Sequence, residues 1–545
     1  MRTIYINGNV ITVDEGMPIA EAVVVNKGKI AFVGSTEDAL KYKGIFTKVL
    51  NLEGKTMLPG MIDGHSHFFY NSLVESFMVN LGAPPLGDIT SIEDIIVKFK
   101  RFITDNNIKP GSTVIGMGVD ESLLKEGRLP TRADLDRVST ENGIYAVHET
   151  GSVGVVTWII LDAVQSEENV KHSEGGVILR YEGTTKPNGV LEETAHMALM
   201  FKYFPKPKAT QLPKIARNGQ RAYTKYGITT VQDGGLKPQF ATALNIFNKL
   251  GLLKIDVVGY FFCENVEDVK YLLELPNYMK YNKRFKVGGA KVLLDGSPQA
   301  KTAWLSKPYH IVPEGKPADY SGYPMVEDED KLQDIFNEIV KNKVQVLTHT
   351  NGDEASEQLI RVFEKAVKNT GIKDNLRPVM IHAQTVREDQ LDRMKKIDMM
   401  PSFFAMHTYF WGDWHINSVL GKERAYRISP VASAVKRDMP FTLHCDTPIL
   451  PPHLSYLLWT AVNRKTRSGE VIGPDQTISV MEAIKGLTIH GAYQNNEEDI
   501  KGSITVGKKA DLCIINSNPL EIDVDELKNV TVLKTIKDGK IVYKA

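Results

Sequence analysis

The sequence predicts an α/β protein made of a (β/α)8 barrel, or TIM barrel, a β-sandwich built from both termini, and an insertion after the first barrel strand. From about residue 215 onward, short buried β-rich runs alternate with amphipathic helices, which is typical of a parallel sheet covered by helices. Both ends of the chain instead contain short strands separated by turn residues. The 545 residues are enough for one large domain and a smaller one.

The predicted domains follow from this pattern. We expect residues 1–57 and 447–545 (mainly 500–545) to form the composite sandwich and C-terminal helices, and residues 58–446 to form the barrel. Within the barrel, residues of about 75–215 are predicted to be the insertion, because glycines and prolines interrupt any strand–helix alternation there. In the sandwich, the Asp538-Gly539 pair predicts a hairpin turn.

The barrel prediction depends on the number of strands. Together with the run that enters His65, seven further runs make about eight, the number in a TIM barrel. These runs are Gly227–Gln232, Ile255–Phe262, Val287–Leu294, Val344–His349, Pro378–His382, Met400–Ala405 and Phe441–His444. Helices are predicted between them at Asp330–Lys341, Glu354–Lys368 and Glu388–Lys396.

Composition excludes several classes of function. The 66 basic and 66 acidic residues cancel, which gives no reason to expect nucleic acid or a membrane as a partner. We expect a small-molecule substrate and a homo-oligomer, for instance a dimer. Cys263, Cys445 and Cys513 form no CxxC pair, so neither a disulfide framework nor a thiolate zinc site is predicted. Without a signal-like or membrane-spanning apolar run, the predicted location is cytoplasmic.

Polar residues that end the predicted strands are the candidates for a functional site, because a TIM barrel assembles its active site at the carboxyl ends of its strands. Imidazole and carboxylate groups are the usual ligands of a catalytic zinc ion. The strand ends therefore predict a divalent metal site. The residues at these ends are His65, His67, Lys291, Asp295, His349, His382 and Asp446.

Each of these residues taken alone has another interpretation. Buried histidines are often satisfied by backbone groups. Lys291 is a solvated or salt-bridged residue unless it is carbamylated, because a protonated ammonium cannot ligate a metal. The metal interpretation is favoured because several strand ends carry the expected residue types at once.

Several motifs in this chain resemble those of the amidohydrolase superfamily, and within it the YtcJ-like group of metal-dependent hydrolases. A further segment, Gly502–Leu512, is similar to the C-terminal signature of that superfamily. The resemblance therefore covers nearly the whole chain. The motifs that carry it are Met57–His67, Gly227–Asp233, Ala290–Ser297, Thr348–Asp353, Ile381–Gln384 and Cys445–Pro448.

The resemblance implies a site with one or two zinc ions. A hydroxide between the metals would attack a carbonyl carbon, and Asp446 would take the water proton and pass it to the leaving nitrogen. The alternative for Asp446 is a purely ligating or strand-capping role. The implied ligands are His65, His67 and Asp446 for one metal, His349 and His382 for a second, and a carbamate on Lys291 as the bridge.

The leading functional interpretation is hydrolysis of a non-peptide carbon–nitrogen bond, in an N-formyl or N-acyl amine. A cyclic amidase or lactonase would use the same two metals and stays an alternative. A deaminase of this fold usually carries a glutamate three residues after the fifth-strand histidine, where this chain has Gly352. A catalytically silent regulatory homologue would be expected to lack ligands, and none of the expected set is missing.

Two regions depart from the group or stand out from the rest of the chain. Where relatives tend to have a Gly-His pair and a nearby asparagine, this insertion has Gly151-Ser152 and Thr157, with a histidine at His148.

The other region is the segment from His407 to His415, which is dense in aromatic and titratable residues. It is interpreted either as a substrate-binding loop that uses His407, Trp411 and His415, or as a packed lid or subunit contact. Trp304, Tyr309 and His310 invite the same two interpretations, with packing favoured.

Overall fold

The computed structural model describes residues 2–149, 151, 153–165, 176–313, 315–372 and 374–545, so Ser152 lies outside the described residues. The chain forms two compact units. One consists of Met1–Phe69 with Gly219–Ala545, and the other of Tyr70–Asn218.

The first unit contains a curled sheet of eight parallel strands, in which each strand lies beside its predecessor in the chain. Because every pairing is parallel, the carboxyl ends of all eight strands lie at one edge of the sheet. Beyond the strand ends, a parallel bridge joins Ser66 to Thr447. The eight strands are Met61–Ile62, Ile228–Leu236, Asp256–Phe262, Phe285–Leu293, Val346–Thr350, Val379–His382, Met400–Phe403 and Thr442–Leu443.

Helices connect these strands. The helix Glu329–Lys341 buries Leu332, Ile335, Phe336 and Ile339 at helical spacing, so one stripe of it packs inward. The α-helices of this unit are Thr36–Leu40, Pro238–Lys249, Val266–Leu273, Glu329–Lys341, Asp353–Thr370, Glu388–Lys396, His407–Phe410, Gly412–Trp414, Lys422–Ala425, Val431–Val435, Leu454–Asn463, Val480–Leu487 and Ile489–Gln494. Short 3-10 helices cover Pro474–Gln476 and Val524–Asn529, and a π-helix covers His415–Val419.

The terminal segments form two more sheets. In spatial order, one contains Lys29–Gly34, Ala22–Asn26, Arg2–Ile6 and Thr47–Asn51, and the other contains Lys540–Lys544, Val532–Lys537, Leu512–Ile515, Thr56–Pro59, Asn9–Ile11 and Ile19–Ala20. A single apolar cluster includes Tyr5 and Val23 from the first sheet and Met57, Leu512 and Ile536 from the second. Both ends of the chain therefore contribute to one core.

The hairpin predicted at Asp538-Gly539 is confirmed, since it joins Val532–Lys537 to the antiparallel strand Lys540–Lys544. Asp538 and Gly539 have φ angles of 46° and 73°, the left-handed pair that a tight hairpin turn requires.

The second unit has its own six-stranded mixed sheet and two apolar clusters. Its helix Ile92–Asp105 begins after the N-cap Ser91, whose side chain accepts a hydrogen bond from the backbone N–H of Asp94. In spatial order the strands are Gly176–Arg180, Pro187–Glu192, Val153–Val156, Gly143–His148, Thr113–Val119 and Val79–Asn80. The helices in or entering this part of the chain are Phe68–Phe77, Ile92–Asp105, Arg132–Leu135, Trp158–Gln165, Glu193–Tyr203 and Leu212–Thr224, with 3-10 helices at Glu121–Leu123 and Ala209–Gln211.

Among the residues that the structure describes, no helix combines the length and apolar character that crossing a bilayer requires.

Candidate metal centre

His65 lies just beyond the first central strand with its ring held in one orientation. The side chain is 1% exposed, and its Nδ1 lies 2.7 Å from Oε1 of Gln232. The amide nitrogen of Gln232 donates to the Gly64 carbonyl over 2.9 Å, so Oε1 is the atom that faces the ring. An amide oxygen can only accept, so His65 carries its proton on Nδ1 and presents the Nε2 lone pair.

Asp446, after the eighth strand, lies among three of the predicted histidines. Its Oδ1 is 3.1 Å from Nε2 of His67 and 3.5 Å from Nε2 of His65, and its Oδ2 is 4.0 Å from Nε2 of His382. One ligand atom each from His65, His382 and Asp446 lies within 4.8 Å of the others, a spacing at which the three could hold one metal ion.

The backbone at two of these positions is strained. His382 has φ 75° and Asp446 has φ 51°, in the left-handed region that side chains other than glycine rarely adopt. Each such conformation costs about 1–3 kcal/mol, and strain of this kind is concentrated at functional sites. The surrounding structure therefore keeps His382 and Asp446 in these backbone conformations although each one costs free energy.

Lys291 is buried in the same group. Its Nζ lies 3.2 Å from Nε2 of His65, and burial lowers its pKa from 10.5 to about 7. Near neutral pH a large share of this side chain is therefore an uncharged amine, the form that reacts with carbon dioxide to give a carbamate.

His349 approaches the group from the fifth strand. Its ring centroid is 4.4 Å from that of His382, and its Nδ1 is 3.4 Å from Oδ1 of Asp295. Asp295 is fully buried and accepts backbone N–H bonds from Trp304, Asn351 and Gly352 over 3.1, 2.9 and 2.7 Å. Asp295 thus fixes the loop that follows His349.

Three buried polar atoms in this group have no hydrogen-bond partner among the described residues. They are Nδ1 of His349, Nε2 of His382 and Oδ1 of Asp446, whose contacts with neighbouring atoms lack hydrogen-bond geometry. Buried polar atoms are almost always paired, so three orphaned ligand-type atoms in one group call for an explanation. The donor set fits a divalent metal ion.

The electrostatics favour ligand forms of these side chains. Burial lowers the pKa of both His65 and His382 well below 6.5, and the fields of Lys291 on His65 and of His349 on His382 add to the effect. Burial alone would raise the pKa of Asp446, but the close contact with His67 and the fields of His382 and His67 bring it well below its ordinary value. Neutral imidazoles and an ionised carboxylate are the forms that bind metals.

The sequence interpretation missed three residues around the site. His444 is buried, with Nε2 3.1 Å from Nδ1 of His382 and Nδ1 2.8 Å from Oγ of Ser402. It ends the predicted strand Phe441–His444, so the criterion that selected the other ligands would also have selected it. Gln232 and Gln494 both donate to the Gly64 carbonyl, a contact that no local pattern indicates.

The aromatic segment packs on itself. His407 and His415 are buried, with Nδ1 of His407 3.0 Å from Nε2 of His415, and Trp411 lies against His407 with ring centroids 4.5 Å apart. Trp304 is half-buried and is tied through its backbone N–H to Asp295. Substrate contact by these four side chains stays a prediction.

The second unit contains a separate group of ligand-type side chains. Asp120, Glu121 and His148 each place one ligand atom within 4.8 Å of the others, and Nε2 of His148 lies 2.9 Å from Oε2 of Glu121. His148 is the histidine that the sequence singled out in the insertion. Val119, just before Asp120, pairs with His148 on two parallel strands, which brings this group together.

Known proteins resemble this chain over nearly its full length. N-substituted formamide deformylase of Arthrobacter pascens is 26% identical over 551 residues, which cover 99% of this chain and 97% of the relative. The YtcJ protein of Bacillus subtilis strain 168 is 25% identical over 568 residues, covering 100% and 99%. The crystal structure of an uncharacterized metal-dependent hydrolase from Pyrococcus horikoshii OT3 has a similar fold, with TM-score 0.74, 22% identity and coverage of 96% and 99%.

The amidohydrolase family model matches residues 48–543, which include the central strands, the candidate ligands and about half of the strands in the terminal sheets. The chain therefore belongs to the amidohydrolase family and is a hydrolase of carbon–nitrogen bonds other than peptide bonds.

Proposed function

We propose that this enzyme hydrolyses a linear amide, an N-formyl or N-acyl amine, at a divalent metal centre that includes His65, His382 and Asp446. The observation that carries the proposal is the convergence of orphaned, buried ligand atoms on one point at the carboxyl edge of the central sheet. The proposal includes a closed (β/α)8 barrel with a flanking terminal sandwich as the frame of this site.

The metal assignment extends the observed group. His65, His67 and Asp446 would hold one zinc ion, His349 and His382 would hold a second, and a carbamate on Lys291 would bridge them. His382 also lies within reach of His65 and Asp446, so a single ion could draw on both sets. When bound, the metal supplies Lewis-acid polarisation of the substrate carbonyl and acidifies water.

Asp446 is the proposed proton carrier. As the water oxygen bonds to the carbonyl carbon, a carboxylate oxygen of Asp446 accepts the proton that the water loses. The same proton then passes to the amide nitrogen as the carbon–nitrogen bond breaks, which releases a carboxylic acid and a neutral amine. The low pKa of Asp446 keeps the carboxylate ionised at the start of the cycle.

Deamination is disfavoured by the geometry at Gly352. A Cβ atom built on this residue would lie 1.7 Å from the carbonyl oxygen of Trp304, so the backbone leaves no room for a side chain. The glutamate that deaminases of this fold place there cannot be accommodated.

Similarity supports the N-formyl class in particular. The Arthrobacter pascens relative is named for deformylation of N-substituted formamides, and its similarity extends over 99% of this chain. Bond cleavage of this kind requires only the carbonyl polarisation and proton transfer described above.

A substrate panel tests the proposal. Zinc-loaded protein should release formate or another carboxylate from N-formyl or N-acyl amines, without ammonia from aminopurines or aminopyrimidines. Hydantoins and lactones belong in the same panel, because turnover confined to them would identify the cyclic amidase or lactonase alternative. Failure of every linear amide alongside turnover of any other class would overturn the proposal.

A further inference from the structure

A chain of buried hydrogen bonds connects the backbone beside His65 to the ring of His382. Starting at the Gly64 carbonyl, it passes through Gln494, Thr442, Ser402 and His444. The successive distances are 2.7 Å from Gln494 Nε2 to Gly64 O, 2.7 Å from Thr442 Oγ1 to Gln494 Oε1, 2.7 Å from Thr442 Oγ1 to Ser402 Oγ, 2.8 Å from Ser402 Oγ to His444 Nδ1, and 3.1 Å from His444 Nε2 to His382 Nδ1.

The donor and the acceptor of every hydrogen bond in this series follow from the carbonyl at which it starts. A carbonyl oxygen only accepts, so Gln494 must turn its amide nitrogen toward Gly64 and its Oε1 toward Thr442. Oε1 also only accepts, so the single hydroxyl proton of Thr442 is committed to Gln494. Ser402 must then donate to Thr442, because two oxygens 2.7 Å apart would otherwise repel each other with no proton between them.

The histidines complete the sequence. With the Ser402 proton committed to Thr442, His444 must donate from Nδ1 to Ser402. Its Nε2 is then an acceptor, and His382 donates to it from Nδ1. This leaves the Nε2 of His382 unprotonated, and Nε2 is the buried, unpartnered atom that faces Asp446.

The same carbonyl also determines the state of His65. The Gly64 carbonyl oxygen accepts a hydrogen bond from the amide nitrogen of Gln232 over 2.9 Å. This contact turns Oε1 of Gln232 toward Nδ1 of His65. The site has no space for a side chain at Gly64, because a Cβ atom there would lie 2.7 Å from Oγ1 of Thr442. One carbonyl thus orients two glutamines, and each glutamine begins a path to a different ligand candidate.

We propose that the Gly64 carbonyl sets the tautomers of His65 and His382 together, through Gln232 on one side and through Gln494, Thr442, Ser402 and His444 on the other. These are positioning residues, which act through the two histidines. The inference rests on the proposed metal centre, since it explains why both rings present an unprotonated Nε2 to the same point. Second-sphere partners of this kind typically contribute a factor of about 10–100 in metal affinity.

The test variant is Thr442→Val, which removes the hydroxyl and nearly preserves the shape. Ser402 would lose its acceptor and donate to His444 Nδ1 instead, so that His444 donates from Nε2 and the proton on His382 moves to Nε2. We expect this reversal in the 15N spectrum of metal-free, histidine-labelled protein, with signals assigned through His382→Asn and His444→Asn. The zinc affinity of the same variant should fall about 10–100-fold.

Thr442→Ser keeps the hydroxyl and should restore both the tautomer and the affinity. The matched control is Thr460→Val, another buried threonine, whose hydroxyl bonds only to backbone carbonyls; it should change neither readout. If Thr442→Val does not fold, Ser402→Ala breaks the same path and should give mixed His444 tautomers and weaker zinc binding.

A proton on His382 Nε2 in the unmodified protein, or unchanged tautomers in both Thr442→Val and Ser402→Ala, would overturn the inference. Because the tautomers are read without metal, this failure is distinct from failure of the proposed function. If the proposed metal centre were wrong and the inference right, the predicted tautomers would be found but zinc would not bind.

Discussion

Nε2 of His67 lies 3.1 Å from Oδ1 of Asp446, although one residue follows the first strand of the central sheet and the other follows the last. The backbone holds this approach in place, because the N–H of His67 donates to the carbonyl of Thr447 over 2.9 Å and Ser66 bridges to Thr447. The two edge strands of the sheet therefore meet at the candidate metal centre.

Replacing Asp446 with asparagine tests the proton-carrier role. The amide side chain would keep an oxygen near His67 but could not accept a proton, so amide turnover should fall by about 10²–10⁴-fold, the usual contribution of a general base. Metal content should be measured alongside turnover to separate loss of the base from loss of the ligand. Asp392→Asn, a change at an exposed residue paired with Arg437, is the control and should leave turnover unchanged. Full activity in Asp446→Asn would contradict the assignment.

The carbamate on Lys291 should depend on pH. Only the neutral amine reacts with carbon dioxide, and burial places the pKa of Lys291 at about 7. In 13C-bicarbonate the carbamate signal should therefore increase from about pH 6 to about pH 8, whereas a lysine of ordinary pKa would remain largely protonated over this range. Lys291→Ala should lack the signal, and added short-chain carboxylates should partly restore its metal binding. A signal that persists in Lys291→Ala would assign the carbamate to another residue.

Gly352→Ala should destabilise the fold without changing the reaction. Its new methyl group would meet the Trp304 carbonyl, so the free energy of unfolding should fall by about 3 kcal/mol, as in an overpacked core. Urea denaturation measures this change, and Gly44→Ala is the control because its nearest atom would be 3.8 Å away. A stable Gly352→Ala protein would show that the site has room for a side chain and would reopen the deaminase alternative.

A buried charge network joins the central sheet to the C-terminal segment. Asp256, at the start of the third strand, lies 2.7 Å from Nζ of Lys501 and 2.6 Å from Nζ of Lys537, and all three side chains are at most 1% exposed. Asp256→Asn leaves two buried ammonium groups short of a counter-charge and should cost about 3 kcal/mol. The exposed-pair variant Glu267→Gln should show no measurable change in the same urea titration. Equal stability of both variants would exclude this network as a stabilising link.

The sequence could predict the ligand candidates because they end short, buried, β-rich runs. His349 and His382 follow apolar segments that are buried on both faces, so their strands are recognisable without tertiary information. How the candidate ligands group around a metal was harder to predict from the sequence. The structure places His382 close to His65 and Asp446 as well as to His349, so the candidates do not fall into two separate sets. That grouping depends on how the strands curl, which no local pattern contains.

The supporting residues were harder to predict for the same reason. Gln494 ends a C-terminal helix, and its contact with Gly64 exists only because that helix packs against the start of the central sheet. The sheet of the second unit also went unpredicted. Its edge strand, Val79–Asn80, has two residues, and its strands mix parallel and antiparallel pairings. These strands do not alternate regularly with helices along the chain, and that alternation is the pattern from which the central sheet is predicted.

The most direct test of the account is the metal content and metal position of the purified protein. We predict at least one divalent ion per chain, located by anomalous scattering within bonding distance of His65, His382 and Asp446, and lost together with amide turnover in His65→Ala. Amide hydrolysis that persists in metal-free protein, or a stoichiometric ion that does not contact these three residues, would contradict it.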